Sequence, residues 1–264
     1  MKFTYIIIIL LLINPSLYSQ ENSSNELSIQ VGLSSSSIKD LRLSNRKFRS
    51  WSPKYAIGYV KSNDNRISSF RMQFSKINSS DGGLLSLMTI RPEIYYSYER
   101  KVKDGIWLGG FFDNNTLLNF PTNTSSVFNS NPISYTIAQS IGPRVSYLKS
   151  LDNNKIDLRT SAQVSLLSYV VQPAFGHPYP SQFLEEGKFN PTREGMAWPL
   201  TKSGKIATVN KFNSFRVELG FFYHINNSLK IGVDYNLNIQ YANTRGKSTY
   251  ISNHDIFLGA TYIN

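Results

Sequence analysis

The stretch that decides the fold is ISYTIAQSIGPRVSYL, residues 133–148. Its odd-numbered positions carry mostly apolar side chains, such as Ile137 and Ile141, and its even-numbered positions carry small or polar ones, such as Ser140 and Arg144. A period of two places the two sets on opposite faces of a β-strand. The stretch also exceeds the roughly 9–11 residues that a strand needs to cross a membrane.

The same alternation recurs along the chain and predicts about ten strands. Most of them are long and carry their apolar residues on a single face, which is typical of a strand with one lipid-facing side, whereas the facing of the fifth strand is ambiguous. The predicted strands cover residues 27–35, 54–61, 66–77, 84–99, 106–118, 133–148, 155–171, 212–225, 229–241 and 255–263.

The connections between these strands alternate in length. Brief ones rich in Asn, Asp and Gly follow strands two, four, six and eight, and these residues suit tight hairpins because they tolerate positive φ. Mostly longer ones follow strands one, five, seven and nine, at residues 36–53, 119–132, 172–211 and 242–254, and the connection after strand three, 78–83, is an exception in length only. Short periplasmic turns and long extracellular loops are typical of outer-membrane barrels. We therefore predict one all-β domain over residues 20–264, a transmembrane antiparallel up-and-down β-barrel with both termini in the periplasm of a Gram-negative bacterium.

Residues 1–19 have the features of a secretory signal peptide. Lys2 precedes the apolar run IIIILLLI, residues 6–13, which is too short to span a bilayer. A retained membrane anchor is the alternative, and no Cys follows the run to carry a lipid anchor. The chain has no cysteine at all, which excludes disulfides, thiolate metal sites and thiol catalysis.

The chain is basic, with a formal net charge of +11 at pH 7. For an exported protein this charge favours attraction to anionic lipid or lipopolysaccharide head groups, and we expect no nucleic-acid partner. No cofactor and no metal site is expected either, because the three histidines are scattered along the chain.

Tyrosines recur on the apolar face near the short-turn ends of the predicted strands. Tyrosine favours a membrane interface because its ring is apolar while its hydroxyl meets water. A soluble lipocalin-like barrel or sandwich, with the apolar face inward, remains the alternative. Pro92 and Pro143 lie inside predicted strands and suggest bulges or shifted strand ends. The tyrosines are Tyr59, Tyr96, Tyr98, Tyr147, Tyr223 and Tyr262.

The chain resembles the outer-membrane barrel proteins common in the Bacteroidota. The resemblance rests on a signal peptide ending before Gln20, the aromatic strand ends and the terminal strand ISNHDIFLGATYIN, residues 251–264. It implies insertion by the barrel-assembly machinery, which reads a final strand with outward aromatics such as Tyr262. The usual terminal aromatic is absent, since the chain ends Tyr262-Ile263-Asn264. The resemblance implies a place and a fold, and no chemistry.

Charged residues recur on the polar face of the predicted strands. A barrel of about ten strands is narrow, so these side chains should meet across the lumen as a network of ion pairs and hydrogen bonds. A narrow ion pathway is the alternative, whereas a wide diffusion pore is not expected at this strand count. The predicted lumen network consists of Arg91, Glu93, Arg144, Asp157, Arg159, Arg216, Glu218 and Asp234.

The histidines offer little for catalysis. His177 lies in the longest loop, and His224 and His254 lie at opposite predicted rims. His254 precedes Asp255, but adjacent strand residues point to opposite faces, so this pair is weak evidence for an acid–base unit. We find no clear second acidic pair of the kind expected in omptin-type proteases, and no lipase motif. No catalytic residue is assigned.

The predicted loop at about 172–211 is the best candidate for a binding segment. It is rich in aromatics and prolines, whereas disordered linkers are poor in aromatics, so we expect it to be ordered. It could cap the lumen, or bind a partner or glycan through exposed aromatics, which often anchor interfaces. The candidate partner-binding residues are Tyr179, Phe183, Arg193 and Trp198.

The favoured interpretation is a non-enzymatic barrel that serves as a binding or accessory subunit of a cell-envelope, secretion or uptake assembly. Its expected partners are outer-membrane lipid, lipopolysaccharide and a protein of that assembly. The alternatives are a small pore for ions or solutes and an outer-membrane hydrolase of omptin or lipase type.

Overall fold

The computed structural model describes residues 23–41, 45–80, 86–121, 134–152, 155–171, 204–243 and 248–264. The predicted signal peptide, residues 1–19, lies outside these ranges. So does most of the predicted loop 172–211, including Tyr179, Phe183, Arg193 and Trp198. Within the described ranges, no helix has the length and apolar character that crossing a membrane requires.

The described chain is built from β-strands, most of them 14 to 18 residues long. The seventh predicted strand is divided into two pieces, and the eighth is preceded by a short additional piece. The strands are β1 (Ser24–Asp40), β2 (Phe48–Ser62), β3 (Arg66–Ser80), β4 (Ser86–Lys103), β5 (Ile106–Pro121), β6 (Ser134–Leu151), β7 (Ile156–Val164), β8 (Leu167–Val171), β9 (Lys205–Thr208), β10 (Phe212–Asn226), β11 (Leu229–Ala242) and β12 (Thr249–Ile263).

The strands form one antiparallel sheet that closes on itself. β1 pairs with β2 on one side and with β12 on the other, so the first and last strands are neighbours. The pairing of β5 with β6 completes the ring. Because β7 with β8, and β9 with β10, each make one strand of the wall, the result is a closed barrel of ten strands.

Polar residues line the barrel, and apolar residues cover it. Along β1, Gln30 and Ser34 are buried in the interior, whereas Val31 and Leu33 are 54% and 56% exposed on the outer face. A soluble barrel has the opposite arrangement, because an apolar exterior of this extent is unfavourable in water. The prediction of an all-β transmembrane barrel is therefore confirmed, and the lipocalin-like alternative is excluded.

We call the two ends of the barrel the short-turn end and the long-loop end. The short-turn end holds the tight connections at residues 63–65, 104–105 and 227–228 and both chain ends of the barrel. Gly105 and Asp152 adopt positive φ there, at 75° and 49°, as expected for such turns. The tyrosines predicted near this end face outward, with exposed fractions from 37% to 55%. These tyrosines therefore form an outward aromatic belt at the edge of the apolar band.

Two predicted long loops, 36–53 and 242–254, are wrong in extent. β1 continues to Asp40, β2 begins at Phe48, and β12 begins at Thr249. The alternation of polarity fades there because both faces carry small polar residues, as in Ser34–Ser37, yet the backbone pairing continues. The barrel therefore extends past the outward apolar band at its long-loop end.

The predicted loop 172–211 is also corrected, at its C-terminal end. Residues Lys205–Thr208 form β9, which pairs with β8 from Leu167↔Thr208 to Val170↔Lys205. A turn closed by the bond from Lys211 N–H to the Thr208 carbonyl separates β9 from β10. The last part of the predicted loop is thus barrel wall.

Pro143 marks a bulge, one of the two outcomes that its position suggested. β6 pairs with β7 up to Arg144↔Gln163 and resumes with β8 at Ile141↔Leu167. The wall strand made of β7 and β8 therefore carries an additional residue opposite Gly142 and Pro143. The backbones approach closely here, since a Cβ on Gly142 would collide with the carbonyl oxygen of Val164.

Candidate functional site

The structure places all eight sequence-predicted lumen charges on the inner face of the barrel. Arg91, Glu93, Arg144 and Arg216 are buried there. The other four are partly exposed and line cavities inside the barrel. These four are Asp157, Arg159, Glu218 and Asp234.

Glu93 on β4 is the centre of the first ion-pair cluster. One of its carboxylate oxygens lies 2.8 Å from Lys54 Nζ and 3.2 Å from Arg91 Nε, and the other lies 2.7 Å from Arg216 Nη2. Lys54 also lies 2.7 Å from Asp255 Oδ2 on β12. These side chains are almost fully buried, so they need one another as partners. We call this set the Glu93 layer.

Arg144 on β6 is the centre of a second cluster, nearer the short-turn end. Its guanidinium lies 2.9 Å from Glu99 Oε1, 2.8 Å from Glu218 Oε2 and 2.8 Å from Gln163 Oε1. Glu218 also accepts a bond from Ser161 Oγ at 2.9 Å. The planar guanidinium can serve several acceptors at once, which suits it to this crossing point.

A third cluster closes the short-turn end of the interior. Lys230 Nζ lies 2.7 Å from Glu26 Oε1 and 3.8 Å from Asp157 Oδ2. His224 Nε2 lies 2.8 Å from the same Asp157 oxygen. Glu26, Asp157 and His224 are less buried than the Glu93 layer, whereas Lys230 is as buried as that layer.

Aromatic rings separate and support the charged clusters. Tyr95 lies between Arg144 and Arg216, and each guanidinium carbon is 5.4 Å from the ring centre. Phe257 lies 4.9 Å from the guanidinium carbon of Arg71 and 6.0 Å from Lys54 Nζ. Cation–π contacts of this kind stabilise cations that have little access to water.

The long-loop end of the interior holds two buried apolar clusters, beside buried polar side chains such as Asp40, Asn119 and Thr249. Ile38, Leu117 and Ile251 form one buried cluster. A second buried cluster on the opposite wall contains Ala138, Val170, Ala207, Phe212 and Ala242. We call the two clusters together the apolar cap. It lies between the Glu93 layer and the long loops.

Open space remains on the short-turn side of the Glu93 layer. One cavity is lined by charged groups that include Arg71, Arg159, Glu218 and Asp234. A second cavity nearer the turns shares Glu26, Arg159 and Phe222 with the first. Arg159 forms no ion pair with the described residues, and its guanidinium carbon lies 5.9 Å from the Phe222 ring. Both cavities lie on the side of the Glu93 layer that faces the short turns.

Sequence reasoning missed several members of the interior network. Lys54, Glu99 and Asp255 complete the two central clusters, and none was assigned to the lumen network. The period of two was the available signal, because Lys54 precedes the outward Tyr55 and Asp255 precedes the outward Ile256. Both residues stood at the ends of predicted strands, where facing is hardest to assign.

The histidines form no catalytic unit among the described residues. His254 faces outward, with its Nδ1 2.8 Å from Tyr235 Oη, whereas Asp255 faces inward to Lys54. No group of three or more His, Asp or Glu side chains within the described ranges could hold a metal ion. His177 lies outside those ranges. The neighbouring pair His254-Asp255 is thus divided between the two faces of the wall.

Comparisons with known proteins return similar shapes and no family. No protein-family model matches the chain, and no curated protein matches its sequence. The translocator domain of autotransporter NalP from Neisseria meningitidis matches with 10% identity and a TM-score of 0.48, over 99% of this chain and 95% of that one. Outer membrane protease OmpT from Escherichia coli matches with 10% identity and a TM-score of 0.47, over 94% of this chain and 99% of that one. The attachment invasion locus protein Ail of Yersinia pestis matches with 10% identity and a TM-score of 0.32, over 91% and 99%.

Proposed function

We propose that the protein is a non-enzymatic, non-conducting barrel of the Gram-negative outer membrane that serves as a binding or accessory subunit of an envelope assembly. The observation that carries the proposal is the position of two successive barriers in the interior, the apolar cap and the Glu93 layer. A barrel whose interior is blocked in this way would bind its partners through its outer wall and its long loops. Its membership of the Bacteroidota group stays a prediction.

The two barriers oppose ion passage for different reasons. Apolar constrictions exclude water, so an ion would have to enter the apolar cap without its hydration shell. In the Glu93 layer, Lys54 is held by two carboxylates at 2.8 and 2.7 Å, so a passing ion would have to displace buried partners. Both conditions favour a closed barrel over the small pore.

We expect no stepwise conductance when the refolded protein is inserted into a planar lipid bilayer. The apolar cap and the Glu93 layer should block ions at moderate voltage in either orientation. A porin inserted into the same membrane serves as the positive control. Reproducible unitary steps from the pure protein would refute the non-conducting barrel and favour the small pore.

Contacts to lipopolysaccharide form part of the proposal, and the long-loop end supports them. Arg49 and Lys76 are exposed on the outer face there, beside Trp51, which is 69% exposed. Tryptophan favours the interface between the apolar band and the head groups. If this end meets the outer leaflet, the two cations lie at the level of lipid phosphates.

The long-loop segment with Tyr179, Phe183, Arg193 and Trp198 is proposed as the partner-binding part. The support is its composition, since exposed aromatics and arginines often carry binding energy. It also leaves the barrel from β8 and returns through β9, both at the long-loop end. We infer that this end is extracellular, because short turns face the periplasm in such barrels.

Deleting residues 178–202 should leave membrane insertion intact and abolish capture of the envelope partner from native membranes. The strands carry the insertion signal, and none of the described ones lies in the deleted range. Heat-modifiable gel migration checks insertion, and affinity purification checks the partner. Protease added to whole cells should cut within this segment. Cleavage only after the outer membrane is opened would invert the proposed orientation.

A further inference from the structure

Three basic side chains form a compact group on the outer wall at the short-turn end. Lys61, Arg66 and Arg100 lie on the consecutive strands β2, β3 and β4, and all are exposed. Each shares the face of an outward aromatic on its own strand, since Tyr59, Phe70 and Tyr98 lie an even number of residues away. We call this group the short-turn basic patch.

The strand register brings the two arginines directly opposite each other. Arg66 on β3 pairs with Arg100 on β4. Lys61 faces Ser68, two residues from Arg66 on the same face. Like charges opposite each other across two strands destabilise a sheet, so this pairing is unfavourable unless an anion lies between them.

Within the described part of the protein, Lys61, Arg66 and Arg100 form no ion pair with a carboxylate. Asp64 is exposed in the turn between Lys61 and Arg66, beyond ion-pair distance of both. The neighbouring Glu99 faces the interior and binds Arg144, and the nearby Asp104 binds Lys101 at 3.0 Å. Arg100 instead turns towards the aromatic belt, with its guanidinium carbon 6.0 Å from the Tyr98 ring.

The patch differs from the other exposed cations at this end because two of its cations face each other. Two residues past the belt tyrosine, β2, β4 and β6 carry Lys61, Arg100 and Lys149, whereas β10 carries Ile225 and the chain end after β12 carries Asn264. Lys149 pairs with the apolar Leu158, whereas Arg100 pairs with Arg66. The facing arginines on β3 and β4 therefore indicate a local ligand.

The position of the patch indicates which ligand. It lies just beyond the outward tyrosines, at the edge of the apolar band, where lipid head groups meet a transmembrane barrel. A single guanidinium group can donate two parallel hydrogen bonds to phosphate oxygens, so two facing arginines can hold one phosphate between them, and lysine adds a point charge. Anionic lipid head groups attract basic residues at this depth.

We propose that the short-turn basic patch binds the phosphate of an anionic phospholipid head group in the leaflet that meets the short turns. Arg66 and Arg100 hold the phosphate between them, and Lys61 adds charge at its edge. The acyl chains lie against the outward apolar face above, beside Phe70 and Tyr96. The proposal is independent of whether the barrel conducts.

The test compares two double variants of the full-length refolded protein in neutral detergent. R66Q/R100Q removes the facing arginines, and K149Q/K155Q removes two exposed cations at the same end in another sector. Retention of phosphatidylglycerol is measured by native mass spectrometry, with phosphatidylcholine and inorganic phosphate as comparison ligands. Heat-modifiable migration verifies that each variant is folded.

We expect R66Q/R100Q to bind phosphatidylglycerol roughly tenfold or more weakly than the wild type, because the hydrogen bonds from both guanidinium groups to the phosphate are lost. K149Q/K155Q should stay within about twofold of the wild type, since it removes the same charge from elsewhere. Equal losses in the two variants, or no loss in R66Q/R100Q, would overturn the proposal. Displacement of the lipid by equimolar inorganic phosphate would overturn the assignment to a lipid.

Urea unfolding in two kinds of lipid vesicle distinguishes a lipid-binding role of the two arginines from a purely structural one. R66Q/R100Q should unfold at the same or higher urea concentration than the wild type in phosphatidylcholine vesicles, because it removes a like-charge pair. It should unfold at a lower concentration than the wild type in vesicles rich in phosphatidylglycerol. A loss of equal size in both vesicle types would contradict lipid binding.

Discussion

Replacing Glu93 with glutamine should lower the free energy of unfolding by about 3–5 kcal/mol. Glu93 neutralises Lys54, Arg91 and Arg216 inside the barrel, and its side chain is only 3% exposed. Glutamine has the same shape, so the change removes charge while leaving the volume intact. Lys54, Arg91 and Arg216 would then lose a counter-charge while they stay buried away from water. Urea unfolding in lipid vesicles, followed by tryptophan fluorescence, measures the loss.

Two further variants test whether the loss comes from buried charge. Asp157→Asn removes a carboxylate that is 28% exposed at the short-turn end, and it should cost no more than about 1 kcal/mol. Arg216→Met added to Glu93→Gln should recover part of the loss, because Glu93 is the ion-pair partner at 2.7 Å from Arg216. A loss at Asp157 as large as that at Glu93 would contradict the importance of burial.

Introducing arginine at Val31 should destabilise the barrel by about 2–4 kcal/mol in a bilayer. Val31 lies on the outer face of β1, between Leu258 of β12 and Tyr55 of β2, in the middle of the outward apolar band. A charged side chain there must either lose its water or distort the bilayer. Urea titration in vesicles gives the difference from the wild type.

Ile225→Arg is the matched control for this prediction. Ile225 is also outward and 52% exposed, but it lies two residues beyond the belt residue Tyr223 on β10. Near the interface the expected cost is about 0–1 kcal/mol. If both arginines cost the same, the depth of the two sites in the bilayer would have to be reassigned.

The period of two predicted the faces of most strands correctly, because every second residue of a spanning strand faces lipid and is apolar. In β11 the outward Ile231 and Val233 and the inward Asn236 and Asn238 follow it. The strand ends were predicted less well. Beyond the apolar band the outer face is polar too, so Ser34–Ser37 continue β1 without any contrast between faces.

The identity of the lumen residues could be read from the sequence, whereas their partners could not. Strand parity indicates that Glu93 and Arg216 both face inward, although they lie on β4 and β10. Their contact at 2.7 Å depends on the stagger of all strands between them, including the bulge opposite Pro143. No local pattern records that stagger.

The apolar cap was also missed, and for a related reason. Inward residues were expected to be polar along the whole barrel, as they are in Arg91 and Glu93. At the long-loop end Ile38, Leu117 and Ile251 face inward instead. Each looks like an ordinary apolar strand residue, and only the shared face across three strands reveals a cluster.

The ion pairs also constrain how the barrel can be assembled. Lys54 on β2 joins Glu93 on β4 and Asp255 on β12, so no single hairpin contains the complete set. A chain inserting hairpin by hairpin would carry bare charges into the bilayer until its first and last strands meet. Partly inserted intermediates with unpaired charges are disfavoured, so insertion and closure of the barrel should occur as one concerted event. The buried ion pairs of the lumen can therefore form completely only in the closed barrel, and they stabilise that closed state.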